Sequence, residues 1–366
     1  MVTNTNTKIP ISIKIPIILI GIIAFIFILY MAKGIIIPLV FATIIAIVLH
    51  PVVNLLIKIK VNRILAIIIT LFLTFLVIAS IGAIAFSQIG KFTESFPKLV
   101  DKFSEILNQT IVWISGHFNL SNREITAWIL KTKNELISSL QIGQTIASLS
   151  SVLVFLFLIP VYIFMLLFYR PLIIEFLRRV FGADHRSKVS EVINLTKTLI
   201  HRYLIGLMLQ VAIIATMYTI GLLLLGIEYA IILGVIGAFL NLIPYLGSII
   251  AALMPMIIAV VTKTSPWFAL LVLALYVLTQ FIDNNFITPK IVGSQVKLNA
   301  LATLIAVIGF AALWGIPGMV VAIPITAITK LIFDHVESLK HWGFLLGDTM
   351  PQKKMINPIL KKIVRK

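Results

Sequence analysis

Two apolar stretches of this chain are too long for one membrane crossing, and each is interrupted near its middle. Tyr229 to Thr262 is broken by Asn241-Leu242-Ile243-Pro244-Tyr245-Leu246-Gly247, and Leu301 to Ile332 by Trp314-Gly315-Ile316-Pro317-Gly318. At ~1.5 Å per helical residue either stretch would reach about 50 Å, against a hydrocarbon core of about 30 Å. Each is also too short for two full crossings with a turn. Proline removes a helical donor and glycine loosens the backbone, so the freed polar groups must be met inside protein or in a water-lined cavity. A pair of broken membrane segments is the sequence pointer to a transport site.

The rest of the chain suits that setting. Hydrophobic residues make up 60% and charged residues 12%, whereas soluble domains carry about a quarter charged residues. The chain therefore reads as an all-α, polytopic integral membrane protein. Its formal net charge of +17 would suggest nucleic acid in a soluble protein, but the cations gather in loops and ends. They cluster around Lys58, Lys60 and Arg63, around Arg170, Arg178, Arg179, Arg186 and Lys188, and in the tail. That is the distribution of positive-inside topology, and it argues against a nucleic-acid partner. Cysteine is absent, which removes disulfides and thiolate metal sites. Ile15 to Tyr30 resembles a signal peptide, but a second span follows after four residues without a small-residue cleavage site, so it reads as an uncleaved first helix.

Periodicity divides the chain into six parts. Residues 1–87 hold three helices, about Ile15–Met31, Ile35–Leu56 and Ile64–Phe86. Residues 88–146 form an extracytoplasmic amphipathic region, residues 147–170 a fourth span, and residues 171–203 a cytoplasmic amphipathic region. Residues 204–333 form a membrane core containing both breaks, with a fifth span at Leu204–Ile227 and an unbroken one at Pro266–Ile282. Residues 334–366 are a basic cytoplasmic tail. Both termini fall in the cytoplasm by the charge rule. Charge alone leaves two architectures open: about eight spans with bent crossings at Pro244 and Pro317, or six spans plus two re-entrant hairpins.

No Walker A motif, His-Glu-x-x-His helix or Gly-x-Ser-x-Gly elbow is present, so the sequence points away from an enzyme and implies no cofactor. Polar groups inside apolar spans are costly and become the functional candidates. These are Gln210, Asn241, Tyr245, Gln280, Asn284 and Asn285, with Asp283 as a carboxylate next to a span. Asp283 reads as a proton or cation coupling site, or more plainly as an interfacial cap or a partner for Lys290. Asn241 and Tyr245 either contact a polar solute or only satisfy backbone freed by Pro244. Gly234, Gly237, Gly309 and Gly318 are expected to permit close helix packing.

The stretch Phe239-Leu240-Asn241-Leu242-Ile243-Pro244-Tyr245-Leu246-Gly247, with Pro255 following, resembles the central motif of the AI-2E transporter family, the PerM-like permeases. Tyr203-Leu204-Ile205-Gly206, Asp283-Asn284-Asn285, Pro289-Lys290-Ile291-Val292-Gly293, Gly315-Ile316-Pro317-Gly318 and Ala322-Ile323-Pro324 agree with it. Leu298-Asn299-Ala300-Leu301 lacks the family's proline, and Ile308-Gly309-Phe310-Ala311-Ala312 reduces its glycine pair. The resemblance implies a bacterial inner-membrane protein of about eight helices that forms a homo-oligomer among membrane lipids.

On that basis the first expectation is a secondary permease or exporter for a small polar solute, autoinducer-2-like. Its pathway would involve Asn241, Pro244, Tyr245, Gly247, Gly315, Pro317, Gly318, Gln210, Gln280, Asn284 and Asn285. The half-helix ends at Pro244 and Pro317 would offer unpaired amides and carbonyls to the solute. A monovalent cation/proton antiporter resting on Asp283 is the alternative, and a non-transporting membrane scaffold is a third.

Overall fold

A computed structural model of the chain describes residues 11–80, 157–182, 185–244, 246–263 and 265–349, with a few isolated positions between 82 and 109. Most of the expected 88–146 region, Tyr245 and the end of the basic tail lie outside these residues. The described chain is helical apart from an isolated bridge between Leu298 and Gly347. Among the described residues five helices are long and apolar enough to cross a membrane, or six if one bent pair counts as a span.

Helices α1 (Ile11–Met31), α2 (Lys33–Lys58) and α3 (Arg63–Ser80) come first. Exposed side chains such as Phe27, Phe72 and Phe75 cover α1 and α3, as lipid-facing helices require. Helix α4 (Phe157–Phe168) meets α5 (Arg170–Val180) at a 64° bend. Pro171 at the start of α5 suits a first helical turn. Helix α6 then runs unbroken from Arg186 to Leu224. The switch from basic to apolar near residue 204, expected to mark the membrane surface, falls inside this helix, because a change of polarity alone does not stop a helix and no proline falls within α6.

The first broken stretch becomes α7 (Ala230–Leu240) and α8 (Gly247–Thr262), and the chain reverses between them. A Cβ on Gly237 would lie 3.5 Å from the Ala251 Cβ, and one on Gly226 would lie 3.1 Å from the Lys263 Nζ. Both pairs are centred on the turn at Pro244, so α7 and α8 form an antiparallel hairpin. Its tip depends on Gly247, where any side chain would run into the Leu240 carbonyl.

Helix α9 (Trp267–Ile282) follows and continues as a π-helix, Asp283–Gly293, then a short turn to Val296. The sequence predicts only a polar passage over 283–299. The second broken stretch is α10 (Ala300–His335), whose direction changes at Gly315, with φ 67° and ψ −147°. Asn299 Nδ2 donates to the Gly347 carbonyl at 2.9 Å. A Cβ on Gly347 would also lie 3.3 Å from the Lys330 Cε. In a straight helix residues 299 and 330 would be about 46 Å apart. Both reach Gly347, so α10 is a second hairpin. At its tip a side chain on Gly318 would meet the Phe310 carbonyl, and Trp314 Nε1 donates to the Leu29 carbonyl of α1 at 3.1 Å. Helix α11 (Lys340–Leu346) closes the base.

Helices α6 and α9 set the relation between the hairpins. They run antiparallel, with Gly221 against Leu275 and Gly206 against the Ile291 carbonyl. The first hairpin leaves from the Gly226 end of this pair. The second leaves beyond Ile291, at the other end. The two hairpins therefore point in opposite directions. Their packing relies on small residues, as expected where lipid is as apolar as the core. Gly234 lies against Thr219, and Gly237 against the Tyr276 hydroxyl. Gly309 has open space around it instead, because it sits on an exposed face of α10.

Candidate functional site

Three elements meet at one buried carboxylate. Asp283, the first residue of the π-helix, is 2% exposed. Gln210 of α6 donates from Nε2 to both of its carboxylate oxygens, at 2.9 and 3.0 Å. Asn241, which ends α7 at the first hairpin tip, donates from Nδ2 to Oδ2 at 2.9 Å. The Thr288 hydroxyl donates to Oδ1 at 2.8 Å and accepts from Gln210 Nε2 at 2.9 Å. Among the described residues every partner of this carboxylate is a neutral donor. Lys290, the cation suggested by sequence, is exposed, and an interfacial cap would not be buried. Both plain readings of Asp283 therefore give way to an intramembrane polar cluster.

The helix winding explains one member of the cluster. In an α-helix, residues five apart point about 140° away from each other. In a π-helix they come into register, and such segments favour functional sites. Thr288 is five residues beyond Asp283 and touches it for that reason. Nothing in α-helical periodicity would have selected it.

Further polar atoms continue from the cluster towards the base of the first hairpin. Gln280, Tyr276 and Asp283 share one face of α9. The Gln280 Oε1 and the hydroxyls of Tyr276 and Tyr218 are buried without hydrogen-bond partners among the described residues. The two tyrosine rings stack at 4.0 Å between centroids, and Gly237 of the hairpin lies against the Tyr276 hydroxyl. Buried orphan polar atoms are rare in native proteins, and each calls for a water, an ion or a ligand. The tyrosines escaped sequence reading because aromatic residues are ordinary in membrane helices.

The remaining sequence candidates are dispersed. Asn284 and Asn285 are exposed on the π-helix. The Asn284 Oδ1 accepts from Gln280 Nε2 at 3.0 Å, and Asn285 Nδ2 donates to the Phe281 carbonyl. Pro244 and Gly247 shape the first tip, while Tyr245 is outside the described residues. Gly315, Pro317 and Gly318 form the second tip, packed near Trp314 and Leu29 in a separate core cluster from Tyr276. Among the described residues of the first tip, the backbone amides expected to be free are already engaged. Asn241, Leu242, Ile243, Leu246 and Gly247 each donate to a carbonyl within the turn. A succession of tight turns uses them up, and the Asn241 side chain is what reaches the site.

The cluster offers a single carboxylate. No group of three His, Cys, Asp or Glu residues able to hold a metal occurs among the described residues. The groups turned towards the Asp283 carboxylate are the amide nitrogens of Gln210 and Asn241 and the hydroxyl of Thr288.

Comparison with known proteins agrees with a transport protein. The chain is 24% identical to YueF of Bacillus subtilis over 272 residues, covering 72% of this chain and 73% of that protein. It is 25% identical to PerM of Escherichia coli K12 over 191 residues, covering 51% and 53% of the two chains. Over 124 residues it is 32% identical to TqsA of the same strain, named an AI-2 transport protein, covering 34% and 36%. The profile described as AI-2E family transporter matches residues 17–338. The protein belongs to the AI-2E family of membrane transport permeases.

Proposed function

We propose that this protein is a secondary transporter of a small polar solute, driven by a proton or monovalent cation that binds at Asp283. The observation that carries this reading is the hydrogen bond from Asn241, at the tip of the first hairpin, to the buried and otherwise cation-free carboxylate of Asp283. Ionised, the carboxylate accepts from Asn241 and holds the tip against α6 and α9. A proton or cation on it competes for the same lone pairs and loosens the tip. Occupancy of the site thus biases a movable element, which is what coupling requires.

The solute path runs beside this hairpin. The orphan Gln280 carbonyl and the Tyr218 and Tyr276 hydroxyls supply polar contacts along it, and Gln210 closes it at Asp283. Residues 58–63 and 170–202 are basic and belong in the cytoplasm by the charge rule. That orientation places both termini inside, the first hairpin entering from outside and the second from the cytoplasm. Arrangements of oppositely directed broken segments suit alternating access. The name of TqsA favours a solute of the autoinducer-2 kind.

The test is flux in proteoliposomes carrying the full chain. An imposed sodium or lithium gradient, with and without autoinducer-2, should drive proton or solute movement in the wild type and not in Asp283→Asn. Equal flux in the two proteins would remove Asp283 from the mechanism. Absence of any wild-type flux across neutral pH would leave the coupling proposal without support.

A further inference from the structure

Away from the transport cluster, a cleft of about 480 Å³ opens between α5 and the first turns of α6. Arg170, Ile174, Glu175 and Arg178 line one side, with Ser190 and Asn194 on the other. Lys197 continues the same face of α6 one turn further on. Arg178 of α5 meets Ser190 of α6, and the two helices run back along each other, so Lys197 comes towards the level of Arg170; both, with Arg63, are within electrostatic reach of the buried His50.

The carboxylate of the cleft is already engaged. Glu175 accepts from Arg179 at 3.2 Å and from Arg186 at 3.0 Å, and lies 4.0 Å from Arg178. These partners, Arg179 first, hold its carboxyl below the ordinary range. Arg178 also donates to the Ser190 hydroxyl, and Arg63 to the Leu167 carbonyl. Among the described residues Arg170 and Lys197 make no hydrogen bond or ion pair. Burial, and then the Arg63 charge, push the Arg170 guanidinium below its ordinary value. Half-buried like charges without an anion are costly, and an anion from outside the chain would relieve that cost.

The other face of α5 indicates where such an anion comes from. Leu172, Ile173, Phe176 and Val180 form one continuous exposed apolar arc, opposite Arg170 and Arg178. With the 64° bend after α4, this is the geometry of a helix lying in a membrane interface. A molecule that carries both an anionic group and long apolar chains matches both faces.

We propose that this cleft binds the phosphate group of an anionic phospholipid, with Arg170 and Lys197 as its cationic ligands and the apolar arc of α5 against its acyl chains. Basic pockets between membrane helices on the cytoplasmic side take such head groups.

The test is native mass spectrometry of the full chain in detergent, with equimolar phosphatidylglycerol and phosphatidylcholine. The wild type should retain phosphatidylglycerol preferentially. The Arg170→Gln/Lys197→Gln double variant should weaken that retention about thirtyfold, from roughly 1 kcal/mol per cation. Lys58→Gln/Lys60→Gln, which removes two cations outside the cleft, should keep the wild-type preference. Equal retention of the two lipids overturns the proposal, as does an unchanged preference in the cleft variant. Displacement of phosphatidylglycerol by inorganic phosphate alone assigns the cleft to a soluble anion and also overturns it. If Phe176→Ser dissociates an oligomer and leaves the lipid preference intact, the apolar arc belongs to another copy of the chain, and the proposal fails as well.

Discussion

Gln210 Nε2 lies 2.9 and 3.0 Å from the two carboxylate oxygens of Asp283, seventy-three positions away in the chain. A single amide thus bridges α6 and the start of the π-helix inside an apolar core. Neutral donors satisfy the lone pairs of this buried carboxylate, which separates the part Asp283 plays in folding from the coupling proposed for it.

Removing the carboxylate should therefore have two distinguishable effects. Asp283→Ala leaves Gln210, Asn241 and Thr288 facing a void, at about 1–3 kcal/mol for each unpaired donor. Asp283→Asn keeps the volume and one acceptor oxygen and should be milder. Thermal unfolding in detergent should rank wild type above Asp283→Asn and Asp283→Asn above Asp283→Ala. Equal stability of all three would mean that the cluster holds nothing together.

The tyrosine pair gives the opposite pattern. The Tyr276 hydroxyl is buried and unpaired, so Tyr276→Phe should not lower stability and should raise it by up to about 1 kcal/mol. Flux should nevertheless fall if that hydroxyl serves the solute path. A thermal shift assay beside proteoliposome flux checks both halves. A destabilised variant would show that the hydroxyl has a partner in the folded protein.

At the hairpin tips, Gly247→Ala and Gly318→Ala place a methyl group against a backbone carbonyl. Overpacking of this kind costs about 1–3 kcal/mol, and both variants should lose thermal stability. Gly309→Ala meets nothing within 4 Å and should match the wild type. Fluorescence-detected size exclusion after heating separates the three.

Topology follows from the same hairpins. Glu228→Cys and Lys263→Cys sit beside the base of the first hairpin and should be labelled by an impermeant maleimide from the same side. Because native cysteine is absent, no background needs removing. Labelling from opposite sides would convert the hairpin into a bent crossing.

Several of these features could be read from sequence, for identifiable reasons. Pro244 and Gly315 interrupt long apolar stretches, and backbone chemistry forces a break at or near them. Gln210, Asn241 and Asp283 stood out because polar groups in such stretches are expensive. Their convergence was not legible, since nothing local couples position 210 to 283. Thr288 was missed because its contact depends on π winding, which leaves no periodic trace. The continuous α6 was missed because charge marks the membrane surface and says nothing of where a helix stops. Asn299, which precedes the position where the family's proline is missing, accepts from Ala302 N to cap α10 and donates to the Leu345 and Gly347 carbonyls to clamp α11.

The winding at Asp283 has a mechanical consequence. Thr288 reaches the carboxylate only while eleven residues are wound more widely than an α-helix. The Thr288–Asp283 bond therefore acts as a latch on helix pitch, and under the coupling proposed above an ion competing for that acceptor would also act on pitch. Any rewinding would turn the chain beyond Gly293, which leads within a few residues to Asn299 at the root of the second hairpin. Chemistry at one carboxylate would then be transmitted as torque from the tip of the first hairpin to the root of the second.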